Sequence, residues 1–386
     1  MPRPKPDRLM ALLCLLSFVD SFGYAIVIPL FPFFAERQGA SAIAIGAILG
    51  GYSLCQFIKA PFIGRLSDRV GRRPVLLASQ AGSAVGFLLM AVSGSVWLLA
   101  LSRLIDGATA GNVSLVYATV MDRYEEREWG RRFSFLSSAS GLGILFGLGV
   151  TTVIAGPGLA AASLVAFGLC LFAITITWAI LPGTEALRSV PKVAIIRTVR
   201  IGRRALRGAI ALKFIATLTQ TGFVLAFPLY LARLLDFTAR QASLLMLAVV
   251  VIVAVFQVVA LPLAIEGLKA RRAALAGFLM MVVGGIVTAL AGNVPFVVVG
   301  ALAVLVGGSL LGPALTVLLA ASSRTGEGAA MGLNQSVASA GQMAGPPIAY
   351  AALAVFSTTG FGVLSAVCAI GCACILCVEW GRHGQS

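Results

Sequence analysis

The chain alternates long, continuously apolar runs with short polar interruptions, and within the runs no strict every-second-residue alternation appears. Runs of this kind lie near 9–35, 42–63, 74–92, 95–121, 133–155, 158–181, 209–235, 241–264, 273–292, 295–321, 331–356 and 359–380. Crossing a hydrocarbon layer of ~30 Å takes about 20 apolar residues of helix. The continuous pattern predicts helices, because strands of a membrane barrel alternate between lipid and lumen. The expected fold class is therefore all-α and integral to the membrane, with twelve transmembrane helices.

Composition agrees with that pattern. With 59% hydrophobic and 11% charged residues, and a mean hydropathy of +0.99, the chain has too little polar surface to enclose a water-soluble core. The net charge of +15 would fit a nucleic-acid partner if its 29 basic residues formed a patch, but they fall in every second connection. One side holds Arg3, Lys5 and Arg8, then Arg65 to Arg73, Arg123 to Arg132, the many arginines of 188–207, Lys269 to Arg272, Arg324 and Arg382; the other holds Arg37, Arg233 and Arg240. This asymmetry puts both termini in the cytoplasm and excludes nucleic acid as the explanation of the basic pI. The first run, with Asp20 and Pro29 inside it, is too long for a secretory leader and is read as a retained helix.

The chain also repeats itself. Gly23 and Pro29 recur as Gly222 and Pro228, Gln56 and Pro61 as Gln257 and Pro262, Arg72-Arg73 as Arg271-Arg272, and Gly143/Gly147 as Gly341/Gly345. The offsets are nearly equal, about 200 residues. A shift of that size predicts two six-helix bundles in parallel repeat, over 1–181 and 209–386, joined by a basic cytoplasmic linker over 182–208. Transporters built this way commonly hold their substrate between the halves, near the bilayer midplane.

The segment Gly64-Arg65-Leu66-Ser67-Asp68-Arg69-Val70-Gly71-Arg72-Arg73-Pro74 resembles the loop signature of the major facilitator superfamily. Asp20 through Gly23 to Pro29 and Pro32 resembles the first-helix motif of its twelve-span drug:proton antiporters, Arg103-x-x-x-Gly107 their fourth-helix motif, and Gly143-x-x-x-Gly147 their fifth-helix motif. The N-terminal half reads most like tetracycline-type and multidrug exporters. Two departures stand out: Leu148 follows Gly147 where the pattern has Pro, and the second-half copy of the charged loop, Glu266 to Arg272, lacks the Asp. The resemblance implies a major facilitator fold, with two bundles related by a pseudo-twofold axis. It implies a gate made of Gly64, Asp68, Arg69, Gly71, Arg72 and Arg73, with the eleventh helix as partner of Asp68 and Asp122 as partner of the loop arginines. Read from the residues alone, the same loop could be basic merely to fix topology; Gly64 and Gly71 around Asp68 point instead to a tight turn with close backbone approach.

Ionisable groups inside a bilayer are rare and functional by default. By the span limits, Asp20, Arg103 and Asp106 lie near mid-membrane, whereas Lys59 and Lys213 sit where they can snorkel. Arg103 and Asp106, three apart, share a helix face with Ala110, Ser114 and Tyr117; Asp20 shares one with Tyr24. Desolvation favours a neutral carboxyl and a neighbouring guanidinium an ionised one, so occupancy of the site can couple a proton to a substrate. Asp20 is the candidate carrier, with a helix–helix hydrogen bond as the bland alternative; Asp106 is a candidate carrier or one half of a static ion pair. The second half offers amides instead: Gln220, Gln257, Asn334, Gln335 and Gln342, near Phe223, Phe227 and Tyr230, describe an apolar pocket with a few orienting hydrogen bonds.

The four cysteines Cys368, Cys372, Cys374 and Cys377 have no histidine or carboxylate nearby, so they are read as small hydrophobes and no metal is expected. The sole histidine is His383 and no phosphate-binding glycine loop is present, which argues against an enzyme or an ATP-driven pump. The function expected is proton-coupled export of a lipophilic or amphiphilic small molecule by alternating access, with no cofactor beyond the proton gradient. Its partners are the substrate, protons and lipid, in a monomer of the bacterial cytoplasmic membrane. The alternative is the same fold run inward, as a proton-coupled symporter or facilitator for a small metabolite.

Overall fold

The computed structural model describes residues 6–109, 112–154, 158–181, 204–267, 270–322 and 327–371. The helices in chain order are α1 (Pro6–Val27), α2 (Phe31–Arg37), α3 (Ala42–Val70), α4 (Arg72–Ala91), α5 (Val96–Thr109), α6 (Asn112–Arg123), α7 (Glu126–Ile154), α8 (Leu159–Ile180), α9 (Arg204–Leu235), α10 (Ala239–Gly267), α11 (Ala270–Ala289), α12 (Val294–Ser322) and α13 (Glu327–Phe356). A last apolar helix, α14, covers Phe361–Gly371. Among the described residues nine helices are long and apolar enough to cross a membrane. Of the remaining predicted spans, 95–121 falls on α5 and α6 around two residues not described, 331–356 on the 30-residue α13, and 359–380 on α14 and the residues after it. Val153, Val258 and Leu290 are 79%, 77% and 78% exposed, which suits lipid and not water.

Two compact units emerge. The first comprises Met1–Ser41, Gly51–Val193 and Thr238–Leu247, the second Ala42–Gly50, Ala194–Phe237 and Ala248–Ser386. Most of the predicted linker, 182–208, lies outside the described residues.

Inside each unit the repeat seen in the sequence performs the same packing task. In the first, a β-carbon on Gly143 would stand 2.4 Å from the Phe18 carbonyl oxygen, and one on Gly147 would stand 2.8 Å from that of Phe22, so α7 lies against the backbone of α1. In the second, β-carbons on Gly341 and Gly345 would stand 2.9 Å from the Phe214 oxygen and 2.5 Å from the Leu218 oxygen, so α13 lies equally close to α9. Small residues four apart let helix backbones approach where lipid offers no hydrophobic drive for association. Buried Leu148, in the place where the family pattern has Pro, leaves α7 unbroken from Glu126 to Ile154.

The segment predicted as a loop over 64–74 is mostly helix. α3 continues through it to Val70, and the chain turns only at Gly71, whose φ of 93° suits glycine, before α4 starts at Arg72. Gly64 is therefore helical and makes no turn. Nothing between Gly64 and Val70 interrupts the backbone ladder, and a helix can carry its last turns past the hydrocarbon into the charged interface.

Candidate functional site

The polar centre of the first unit is built by close helix approach. A β-carbon on Gly107 of α5 would lie 2.5 Å from the Tyr52 carbonyl oxygen of α3, and one on Gly86 of α4 would lie 2.9 Å from Asp106 Cβ. With α3 and α4 this close, the residues one turn from Gly107 on α5 are sealed from solvent. Arg103 Nη1 donates to Asp106 Oδ2 at 3.1 Å, and their side chains are only 5% and 6% exposed. The guanidinium lies 5.4 Å from the ring centroid of Phe87 and 5.8 Å from that of Tyr52, and Ser83 hydrogen-bonds the Asp106 carboxylate. Arg103 Nε and Nη2 are buried without a hydrogen-bond partner.

Beside the pair is a cavity of about 30 Å³, lined among others by Asp20, Tyr24, Tyr52, Gln80, Arg103 and Asp106. Asp20, Arg103, Asp106 and Tyr24, singled out in the sequence, thus share one small site. Asp20 makes an interaction of its own, which the absence of a basic neighbour one turn away along α1 did not reveal. Gln80 Nε2 donates to Thr177 Oγ1 at 3.0 Å, while its Oε1 is buried and unpartnered.

Lys59 departs from expectation. Its Nζ does not snorkel to a membrane surface; it is buried, has no hydrogen-bond partner, and lies within electrostatic reach of Asp106 and Asp20. In a helix the Cα–Cβ bonds tilt toward the N-terminus. For α3, whose C-terminal end carries Arg65 and Arg69, that tilt aims a lysine away from the charged end and back toward the apolar middle. Lys59 also stands two turns from Tyr52, on the same face. Both signals were present in the sequence.

Tyr117 lies elsewhere. Its ring tilts against Phe133 with centroids 4.8 Å apart, it shares a hydrogen bond of 3.2 Å with Ser137 on α7, and it packs against the core cluster of Leu9, Leu13 and Leu136. The stripe running from Arg103 to Tyr117 therefore does not line the cavity as one wall; Ala110 and the side chain of Ser114 lie outside the described residues.

Around Gly71, Arg72 Nε donates to Asp122 Oδ2 at 2.8 Å, and Arg72 also donates to Ser67 Oγ. Arg73 donates to the Trp178 carbonyl at 2.6 Å, with its guanidinium 5.9 Å from the Trp178 ring. Arg69 is exposed. The side chain of Asp68 lies outside the described residues.

In the second unit the predicted amides sit on α9, α10 and α13. Gln220 of α9 abuts Gly308, and exposed Gln257 of α10 donates to Ser309 Oγ at 2.9 Å, so both meet α12 at adjacent residues. Gln335 is exposed, Gln342 half-buried, and Asn334 Oδ1 is buried without a hydrogen-bond partner. Phe223, Phe227 and Tyr230 are buried; Phe227 stacks on the other two, and all three tilt against Phe361, ring centroids 4.7–6.5 Å apart. These rings pack against one another between α9 and α14.

A sequence profile of the Major Facilitator Superfamily matches residues 13–212 and 209–386. Over 164 residues the chain is 35% identical to the class G tetracycline resistance protein of Vibrio anguillarum; the match spans 40% of this chain and 42% of that relative's own length. Among solved structures, the human organic anion transporter MFSD10 superposes with a TM-score of 0.72 at 21% identity, over 97% of this chain and 100% of that one. The nucleoside transporter NupG does so with a TM-score of 0.80 at 11% identity, over 97% of this chain and 99% of that one.

Proposed function

Since the chain belongs to the major facilitator superfamily, a multi-pass membrane family of transporters, we propose that it is a proton-coupled exporter of lipophilic or amphiphilic small molecules. The supporting observation is the sealed polar centre of the first unit: two carboxylates, Asp20 on the membrane-spanning α1 and Asp106 on α5, beside one small cavity. Such groups are expensive in a bilayer and mark ion or proton pathways. In this reading Asp20, at the cavity wall, takes up and releases the proton. Asp106, held by Arg103 and Ser83, keeps the site organised. The name of the tetracycline resistance relative supports an outward direction.

Alternating access needs interactions that differ between states. The Arg72–Asp122 pair next to the Gly71 turn, together with Asp68, is assigned that gating role. Both termini are assigned to the cytoplasm, in a bacterial cytoplasmic membrane, on the distribution of basic residues.

A second reading, inward transport of a small metabolite by the same fold, is favoured by one feature: α7 runs through Leu148 without the proline of the export pattern. Proton release on substrate addition to solubilised protein tests the coupling. A panel of lipophilic cations, neutral drugs and small metabolites should include compounds that release protons from the wild type and none from Asp20→Asn. Undiminished release from Asp20→Asn, with loss in a folded Asp106→Asn, would move the carrier role to Asp106.

A further inference from the structure

The polar centre of the first unit contains two carboxylates, Asp20 and Asp106, and the cation Arg103; a second cation, Lys59, is outside the cavity lining but within electrostatic reach of both carboxylates, so the group has a formal charge of zero with every member ionised. Its hydrogen bonds are less evenly shared. Asp106 accepts from Arg103 Nη1 and is bonded by Ser83, and Asp20 has an interaction of its own. The nitrogens Lys59 Nζ, Arg103 Nε and Arg103 Nη2 are all buried without an acceptor. Asp106 is fully engaged while N–H groups beside it are in surplus.

A buried donor left unmade is expensive, more so when charged. A cationic ligand entering here would meet Asp106 already bonded to Arg103 and Ser83, whereas an anionic one takes donors that nothing uses. The adjoining cavity, about 30 Å³, has room for about two waters or for the two oxygens of one carboxylate. Arg103, 4% exposed, lines it, and so does Tyr24, which at 40% exposed offers an aromatic surface at its edge.

We propose that the free edge of Arg103, in the field of nearby Lys59, forms a receptor for an anionic, hydrogen-bond-accepting head group, so that the molecule handled is an amphiphilic anion or zwitterion and not a lipophilic cation. This deepens the transport reading and rests on it for biological meaning, but binding can be tested without any gradient.

Three probes with one body and different heads decide it: biphenyl-4-carboxylate, biphenyl-4-carboxamide and biphenyl-4-methylammonium. Equilibrium binding to the full chain in nanodiscs of zwitterionic lipid, corrected for partition into empty discs, should rank carboxylate tightest and ammonium weakest in the wild type. Lys59→Met should weaken the carboxylate about tenfold and leave the carboxamide unchanged, whereas Lys59→Arg should keep the wild-type ranking. The proposal is overturned if the wild type prefers the ammonium probe or shows no measurable carboxylate binding, or if Lys59→Met leaves carboxylate binding intact or weakens all three probes equally. Should Lys59→Met fail to fold, the wild-type ranking and Lys59→Arg still decide. Carboxylate binding without gradient-driven transport would sink the export reading alone; gradient-driven accumulation of the ammonium probe without carboxylate binding would sink this one alone.

Discussion

Replacing Asp106 by Asn removes one charge from a pair sealed at 5% and 6% side-chain exposure. Both groups are largely shielded from bulk solvent, and taking one partner from a buried pair costs about 3–5 kcal/mol. Ring faces of Phe87 and Tyr52, at 5.4 and 5.8 Å, are present before and after the substitution and so do not offset the loss. The loss should therefore be at least about 3 kcal/mol, roughly a hundredfold or more in the folding equilibrium. Removing both charges should be milder, because apolar residues of similar volume can replace a buried pair at little cost. Arg103→Met with Asp106→Leu is accordingly expected within about 1 kcal/mol of the wild type. Unfolding in mixed micelles with increasing dodecyl sulfate, followed by tryptophan fluorescence, measures all members of the cycle. If Asp106→Asn loses less than about 1 kcal/mol, or the double variant loses the sum of its singles, the pair is not the sealed, mutually dependent unit described.

The two glycine pairs should behave alike: Gly143→Val and Gly345→Val place methyl groups against the carbonyls of Phe18 and Leu218, so each should lower thermal stability of the solubilised protein by several degrees, and a neutral outcome at either would refute the close-backbone account. Arg72→Asp should abolish transport without preventing membrane insertion, and adding Asp122→Arg should restore part of it; no restoration means the 2.8 Å pair is incidental to gating. Gln257→Ala removes only a bond to Ser309 at an exposed position and should leave apparent affinity within about twofold, consistent with a neutral hydrogen bond of about 1 kcal/mol or less; a large change in substrate profile would return that amide to the binding site.

Much of the fold was legible because lipid imposes a simple rule: apolar runs of sufficient length become helices, and repeated small residues mark where they touch. The recurrence of Gly143/Gly147 as Gly341/Gly345 already contained the α1–α7 and α9–α13 contacts. The charged segment after Gly64 was misread as a loop because polar composition and glycine usually signal one, yet no proline interrupts the helix before Gly71. At the site, Asp20, Tyr24, Arg103 and Asp106 could be named from depth along their helices. Lys59 was assigned to the surface by distance from the span end, when the tilt of side chains in α3 argued the reverse. Whether Gln220, Gln257 or Tyr230 faces a cavity or a neighbouring helix depends on helix rotation. Spans with apolar residues on every side, such as α12, carry no hydrophobic stripe from which to read it.

Inverted membrane vesicles with an acidic interior, supplied with the panel of lipophilic cations, neutral drugs, lipophilic anions and small metabolites, test the central claim most directly. Proton-coupled export predicts that at least one amphiphilic compound accumulates inside, that a protonophore releases it, and that vesicles bearing Asp20→Asn equilibrate the compound without concentrating it. Accumulation driven only in right-side-out vesicles, or equilibration indifferent to the gradient in the wild type, would contradict the account and favour inward transport.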